Sequence, residues 1–311
     1  MRIFLIKFIL FLLLLMMTLA AVLGYLAFSD GTLSASTEAT ESALLSIPQN
    51  TDAGLLIAGS SHGRMLSRGV NHCMLENVTG VKVVNISKSA AGIVPEYEFL
   101  KYYYKKGNTA KVIFYFIDGF VFFSPKWNEG LYCYADEPFR LDFFLQLLPS
   151  GTERDVILNY IESKYQNDWL TYNASRVPDQ SGRLERADTA AIRKRLDADY
   201  LDGLDMNTAA TYSKKLDALI ELAQRHESSL VFIISPSLLT HDPGLDFVRK
   251  TMLEKKKKYG VQFYDLSESY KNPRLFYNHD HLNVAGVFMY SKYFMLPVLD
   301  SLLQRHSDNL H

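Results

Sequence analysis

The sequence predicts an α/β protein, a three-layer sandwich with a central parallel sheet, preceded by an N-terminal transmembrane helix. Three observations predict it. Five short apolar runs end in polar or glycine-bearing turns. They are continuous rather than alternating, as expected of strands buried on both faces. Amphipathic helical patterns separate them, which makes the sheet parallel and layered by helices. The chain begins with a long apolar stretch that has no polar face.

That stretch comes first. Phe8 to Phe28 carries no charge, with Arg2 and Lys7 before it and Asp30 after it. It is long enough to cross a hydrocarbon core of roughly 30 Å. The flanking charges place the N-terminus in the cytoplasm and the remainder outside. A retained anchor over 1–28 is the favoured reading, and a cleaved signal peptide is the competing one. Both export the rest of the chain. Residues 29–53, rich in Ser, Thr, Ala and Glu, read as a tether. Residues 54–311 read as one domain.

Within the domain, Leu55 to Ala58 is the first strand, running into Gly59-Ser60-Ser61-His62-Gly63. Val81 to Ile86 is the second, Lys111 to Ile117 the third, Leu230 to Ile234 the fourth, and Val261 to Leu266 a short fifth. Pro95 to Lys105 is an aromatic-rich helix. Thr211 to Arg225 is amphipathic through Leu216, Leu219, Ile220 and Leu222. Asp246 to Tyr259 ends at Gly260, suited to a helix C-terminus. The last helix runs from Val284 to about Arg305, with a kink expected near Pro297. From 127 to 206 the rhythm breaks into an insertion of helices and loops that either caps the site or meets a partner.

Composition narrows the function classes. Net charge is -1, with 33 Lys+Arg against 34 Asp+Glu, so no basic face for nucleic acid is indicated. The run Lys255 to Lys258 reads as a solvated helix end. The two cysteines, Cys73 and Cys133, have no zinc spacing. In an exported domain they are free to form a disulfide or to stay apart. His279-Asp280-His281 has metal-ligand residue types, but three neighbours in one turn rarely converge on one ion. No metal and no cofactor is expected.

Ligands of open parallel sheets bind beyond the C-terminal strand ends. Polar clusters fall there: Gly59 to His62, Asn85 to Ala91, Asp118-Gly119, and Asn278 to Asn283 before the last helix. A serine after the first strand and a histidine before the last helix make a nucleophile–base pair. Taken singly, Ser61 reads as a turn serine, His62 as structural and Asn283 as a helix N-cap. The aromatic run Phe120, Phe122, Phe123 and Trp127 reads as lid or core before it reads as a sugar platform.

In this order the clusters resemble the SGNH (GDSL-like) hydrolase superfamily, whose fold is flavodoxin-like. Gly59-Ser60-Ser61 is similar to the first block, and Asn85-Ile86-Ser87-Lys88-Ser89-Ala90 to the second. His281-Leu282-Asn283 with Gly286 resembles the last block of extracytoplasmic members. The pattern is nearest to the anchored proteins of alginate O-acetylation and teichoic-acid D-alanylation. The resemblance implies Ser61 as nucleophile and His281 as base, with Asn278 or Asp280 orienting it. It places Ala90, Ser89, Asp118 and His62 around the oxyanion and substrate. It implies a serine esterase or O-acyltransferase acting on an acylated envelope or exported polysaccharide, beside a multi-span membrane acyltransferase. The alternative is a degenerate accessory or glycan-binding protein.

Three positions depart from that pattern. The third block's Asn is Asp118, whose carboxylate would repel an oxyanion. The second block's glycine is Ala90. The last block's Asp, three residues before the histidine, is Asn278. From these residues Ser61 Oγ is expected within about 4 Å of a His281 ring nitrogen. An active site also requires Asp118 to be turned onto a partner such as His62, Arg64 or backbone amides. On that basis Asp118→Asn is expected to keep or raise activity.

Overall fold

The computed structural model describes residues 1–33, 47–89, 91–130, 132–135, 140–148, 154–163 and 180–308. It shows an α/β fold whose five strands are all parallel. The strands are β1 (Asp52–Gly59), β2 (Val83–Asn85), β3 (Thr109–Phe116), β4 (Ser229–Ile234) and β5 (Gln262–Asp265), in the sheet order β2-β1-β3-β4-β5.

The first helix, α1 (Arg2–Leu33), begins before the charge-free run and includes Lys7. Its stretch Arg2–Val22 is long and apolar enough to cross a membrane, and none of it is buried against the rest of the chain. Those 21 residues span about 31 Å at 1.5 Å per residue. Of the expected tether, 34–46 lies outside the described residues. The described residues resume at Ile47, and β1 starts at Asp52.

The remaining helices are α2 (Ser61–Arg64), α3 (Asn71–Thr79), α4 (Ile93–Lys105), α5 (Pro125–Glu129), α6 (Tyr132–Ala135), α7 (Leu141–Leu147) and α8 (Arg154–Ser163). After them come α9 (Thr189–Asp199), α10 (Met206–Arg225), α11 (Leu245–Tyr259), α12 (Val284–Tyr290) and α13 (Leu296–Asp308). Alternation along each strand divides the core in two. Ile113, Tyr115 and Phe232 face α4, α10 and α11. Val112, Phe114, Phe116, Val231 and Ile233 face α3, α12 and α13. Both faces are therefore dry over β1, β3 and β4, which is why those strands read as apolar runs; β5, at the sheet edge, is only partly buried.

Details refine the sequence reading. Gly260 ends α11 in the left-handed conformation, φ 71°, as expected of that position. The last helix is interrupted, not merely bent. Ser291–Met295 forms one wide π-type turn just before Pro297, which has no N–H to offer the preceding turn. Phe120, Phe122 and Phe123 are core, and the last two pack edge-on against Phe247. Cys73 is exposed, Cys133 is buried, and both are free thiols, so no disulfide joins them.

Candidate active site

In this strand order the chain leaves β1 toward one face of the sheet and reaches β3 from the other. That opens a crevice at the C-terminal ends of β1 and β3. Gly59 closes β1 with φ 111°, and a Cβ there would run into the carbonyl of Phe116 on β3. Only glycine makes this approach without strain. Behind the turn, Glu96 of α4 is fully buried and accepts the Gly59 N–H at 2.9 Å. Burial raises the Glu96 carboxyl well above its usual range, against the opposing charge of Lys88.

Ser60 caps α2, and Ser61 is its first residue. Asn85, at the end of β2, steadies the turn by donating to the Gly63 carbonyl at 2.8 Å and to Ser67 Oγ at 3.0 Å. Its own Oδ1 accepts the Ser87 N–H at 3.0 Å. Ser89 is half-buried in the turn after β2, and Ala90 lies outside the described residues.

His281 arrives from the loop before α12. Its Nε2 is 2.7 Å from Ser61 Oγ. Asn278 Oδ1 accepts the backbone N–H groups of Asp280 at 2.9 Å and His281 at 2.8 Å, and also faces His281 Nδ1 at 3.1 Å. Two backbone donors identify that amide atom as the oxygen, so Nδ1 carries the proton and Nε2 accepts from Ser61. Burial lowers the His281 imidazole to about 4 against the raising charge of Asp280, with the charge of His62 adding to the lowering. His281 is therefore neutral near pH 7, the form a general base needs. Its ring lies against His62 on a 5.0 Å centroid distance and against Tyr277 at 5.6 Å.

His62 bridges two carboxylates. Its Nδ1 pairs with Asp118 at 2.7 Å, and its Nε2 lies 3.1 Å from Asp280 Oδ1 and 2.7 Å from the Asp280 carbonyl. Burial alone would lower this histidine, but Asp118 and Asp280 overcome it and raise it well above the usual value. Asp118 also accepts the Ser60 hydroxyl, so its carboxylate is held by two groups. Burial works to raise Asp280, yet the nearby histidines and Arg195 keep it well below the carboxylate range.

Within the 127–206 insertion, read from the sequence as capping the site or meeting a partner, residues 180–200 form a strap whose contacts the sequence did not show. Arg195 of α9 reaches Asp280 at 3.3 Å and Asp199 at 3.0 Å. The His279 ring accepts the Asp188 N–H at 2.8 Å, which takes His279 away from any shared ion with His281. Gln180 accepts the Val284 N–H, and Leu184 donates to the Phe276 carbonyl. Tyr200 bonds Asp242, and its hydroxyl accepts the Gly244 N–H at 3.1 Å. Burial, opposed by Arg195 and helped by nearby carboxylates, pushes Asp199 up to about 7. Asn283 caps α12 through the Gly286 N–H, and a Cβ at Gly286 would meet the Leu275 carbonyl.

A cavity of about 20 Å³, lined by His62, Asp118, Asp242 and Asp280 and by apolar Phe120 and Ile234 among others, lies beside His62 and Asp280. It has room for about one water. Among the described residues, one grouping has the composition of a metal site: His62, Asp280 and His281, with ligand atoms within 4.8 Å of one another. Its histidine nitrogens already face Ser61, Asn278 and two carboxylates, so a cation would have to break those bonds.

The structure thus brings together Ser61, His281, Asn278, Asp280, His62 and Asp118 at one strand-end crevice. No known family model matches the chain, and no curated protein matches it at significant similarity.

Proposed function

We propose that this protein is a membrane-anchored SGNH-type serine esterase or O-acyltransferase whose substrate is an acylated envelope or exported polysaccharide. The observation that carries the reading is the Ser61–His281–Asn278 chain, with Nε2 at 2.7 Å from the serine oxygen and the tautomer fixed by Asn278. His281 takes the Ser61 proton as Oγ attacks the ester carbonyl. The tetrahedral intermediate collapses, and His281 returns that proton to the leaving alcohol. Water or a sugar hydroxyl, deprotonated by His281, then attacks acyl-Ser61 and regenerates the hydroxyl. The acceptor that reaches the acyl-enzyme decides between hydrolysis and transfer.

Two features bear on the oxyanion. Ser61, as the first residue of α2, has no preceding helical turn to take its amide. Its N–H is the proposed donor, and the resemblance implies the amide of Ala90, which lies outside the described residues, as the second. The charge of Asp118, which would oppose the oxyanion, is balanced by His62. The anchor holds the domain at the membrane, outside the cytoplasm, where a multi-span acyltransferase would hand over its acyl group.

A second reading is a degenerate glycan-binding accessory. Asp118 in place of a neutral donor and Asn278 in place of a carboxylate favour it. Labelling with a fluorophosphonate separates the two, because the probe reacts only with an activated serine. Wild type is expected to be labelled, with the signal lost in Ser61→Ala and strongly reduced in His281→Ala. An unlabelled, folded wild type would leave the accessory reading standing and remove the enzymatic one.

A further inference from the structure

In a parallel sheet layered by helices, strands start where helices end. The N-terminal edge of this sheet therefore gathers the C-termini of α4, α10 and α11, and hydrogen bonds tie these ends together. Asn50 donates to the Lys106 carbonyl at 3.2 Å, just beyond α4. Gln224 of α10 donates to the carbonyl of Tyr259 on α11 at 2.9 Å. The Tyr104 hydroxyl meets Ser228, which precedes β4.

This edge is basic. Lys82, Lys105, Lys111, Arg225, Lys256 and Lys257 are exposed there, and none has a carboxylate partner among the described residues. The acidic groups on or beside the edge are Asp52 and Glu227, with Glu221, which accepts the Tyr259 hydroxyl at 3.1 Å, and the half-buried Glu76, which accepts the Val83 N–H at 2.9 Å. The protein as a whole carries a net charge of -1, so this edge is charged against the average. The opposite edge holds Asp118, Asp199, Asp242 and Asp280, but these are largely buried, and His62 and Arg195 pair with three of them. Leu141 adds an apolar side chain to the basic edge: it is 55% exposed, and the neighbouring Asp142 accepts Lys106 Nζ.

The basic edge is also where the chain arrives from α1. Ile47 to Thr51 joins the domain beside Lys106 and Asn108, with the Thr51 N–H on Asn108 Oδ1 at 2.9 Å. The link from Leu33 to Ile47 cannot exceed about 50 Å even when fully drawn out.

We propose that this basic edge is a docking surface for anionic phospholipid headgroups of the bilayer that α1 crosses. The inference rests on α1 spanning a membrane and is independent of the chemistry at Ser61. Helix-end cations suit the helix dipole wherever they occur. Their convergence on the edge that receives the anchor is what selects a lipid surface, since basic side chains near anionic membranes are drawn to them over a Debye length. In this pose the serine lies at the far end of β1 and β3. Eight-residue strands of about 3.3 Å per residue lift it roughly 26 Å off the headgroups.

The test uses the full chain reconstituted in vesicles, with Cys73→Ser removing the exposed thiol. A fluorophore is placed at Asn77→Cys on the basic edge or at Ala187→Cys on the site edge. A quencher on lipid headgroups reports proximity. In vesicles with about one-third phosphatidylglycerol, quenching is expected at position 77 and not at 187. It should weaken in phosphatidylcholine alone and in about 1 M salt, where the Debye length is near 3 Å. Reversing Lys105, Lys256 and Lys257 to Glu should lower the docked-to-free ratio by about a hundredfold or more, at about fivefold per side chain. Equal quenching at the two positions, or quenching indifferent to phosphatidylglycerol and salt, would overturn the proposal. The salt titration needs no variant of the basic residues, so it decides even if the triple reversal fails to fold.

Discussion

Replacing His281 with Ala is expected to lower ester turnover by about 10⁴-fold or more, the scale seen when a serine loses its base. No other described residue is placed to take over. His62, the nearest imidazole, has both nitrogens on Asp118 and Asp280. The wild-type pH profile carries a second signature. Burial holds His281 at about 4, so the acid limb of kcat/KM should fall near pH 4 rather than near the ordinary histidine value of about 6.5. Activity is lost as pH drops through the limb, because protonated Nε2 no longer accepts from Ser61. Initial rates on a chromogenic acetyl ester from pH 3 to pH 9 measure both effects. A His281→Ala enzyme retaining near-normal turnover would remove His281 from the chemistry.

His62→Ala is expected to destabilise the fold by about 3–5 kcal/mol, the cost of leaving buried charge without its partner. Two carboxylates would be exposed to that loss, Asp118 and Asp280, each about 5–6% accessible. The pair His62→Ala with Asp118→Asn should recover part of the loss, since it removes one of the stranded charges. Denaturant unfolding of the four proteins gives the coupling directly. The pH dependence has a definite sign. The folded-state value of His62 is raised, so its contribution is complete below about pH 6.5 and is lost as pH climbs through the folded value. Asp280 is depressed, so its contribution is present above about pH 3.9 and fades as pH falls toward its folded value. The margin between wild type and His62→Ala should therefore narrow in alkali. A margin that grows with pH would show that His62 is neutral in the fold. The same geometry revises the outlook for Asp118→Asn, which trades a neutral oxyanion neighbour against one of the two counterions of His62.

β1, β3 and β4 were legible because burial on both faces leaves an apolar run; the edge strand β5, with Gln262 and Asp265 and no fully buried residue, is not such a run, although a strand lies there too. Ser61 and His281 were legible because each abuts the end of a regular element, where turn chemistry stands out. His62 was harder. Adjacent to Ser61, it looks like an ordinary turn residue, and its bridging role depends on Asp280, 218 positions away. Arg195 gave no signal at all. It is one of several basic residues on a polar helix, and only the docking of α9 selects it. Glu96 was hidden inside an aromatic-rich helix pattern. The interruption at Ser291–Met295 was half visible, since Pro297 marks a lost hydrogen bond but not whether the helix bends or widens.

The strap over 180–200 bears on how separable the parts of this protein are. It is held to the histidine loop largely by main-chain bonds, Val284 to Gln180 and Leu184 to Phe276, with the Asp188 amide on His279. Such bonds do not depend on which side chains the strap carries. Sequence drift in this region can thus be wide while its path stays fixed. On the proposed reading, the serine–histidine pair is then not a minimal module of sheet plus turns. Trimmed of the strap, the chain would keep a serine on a rigid turn and lose the frame that presents its histidine.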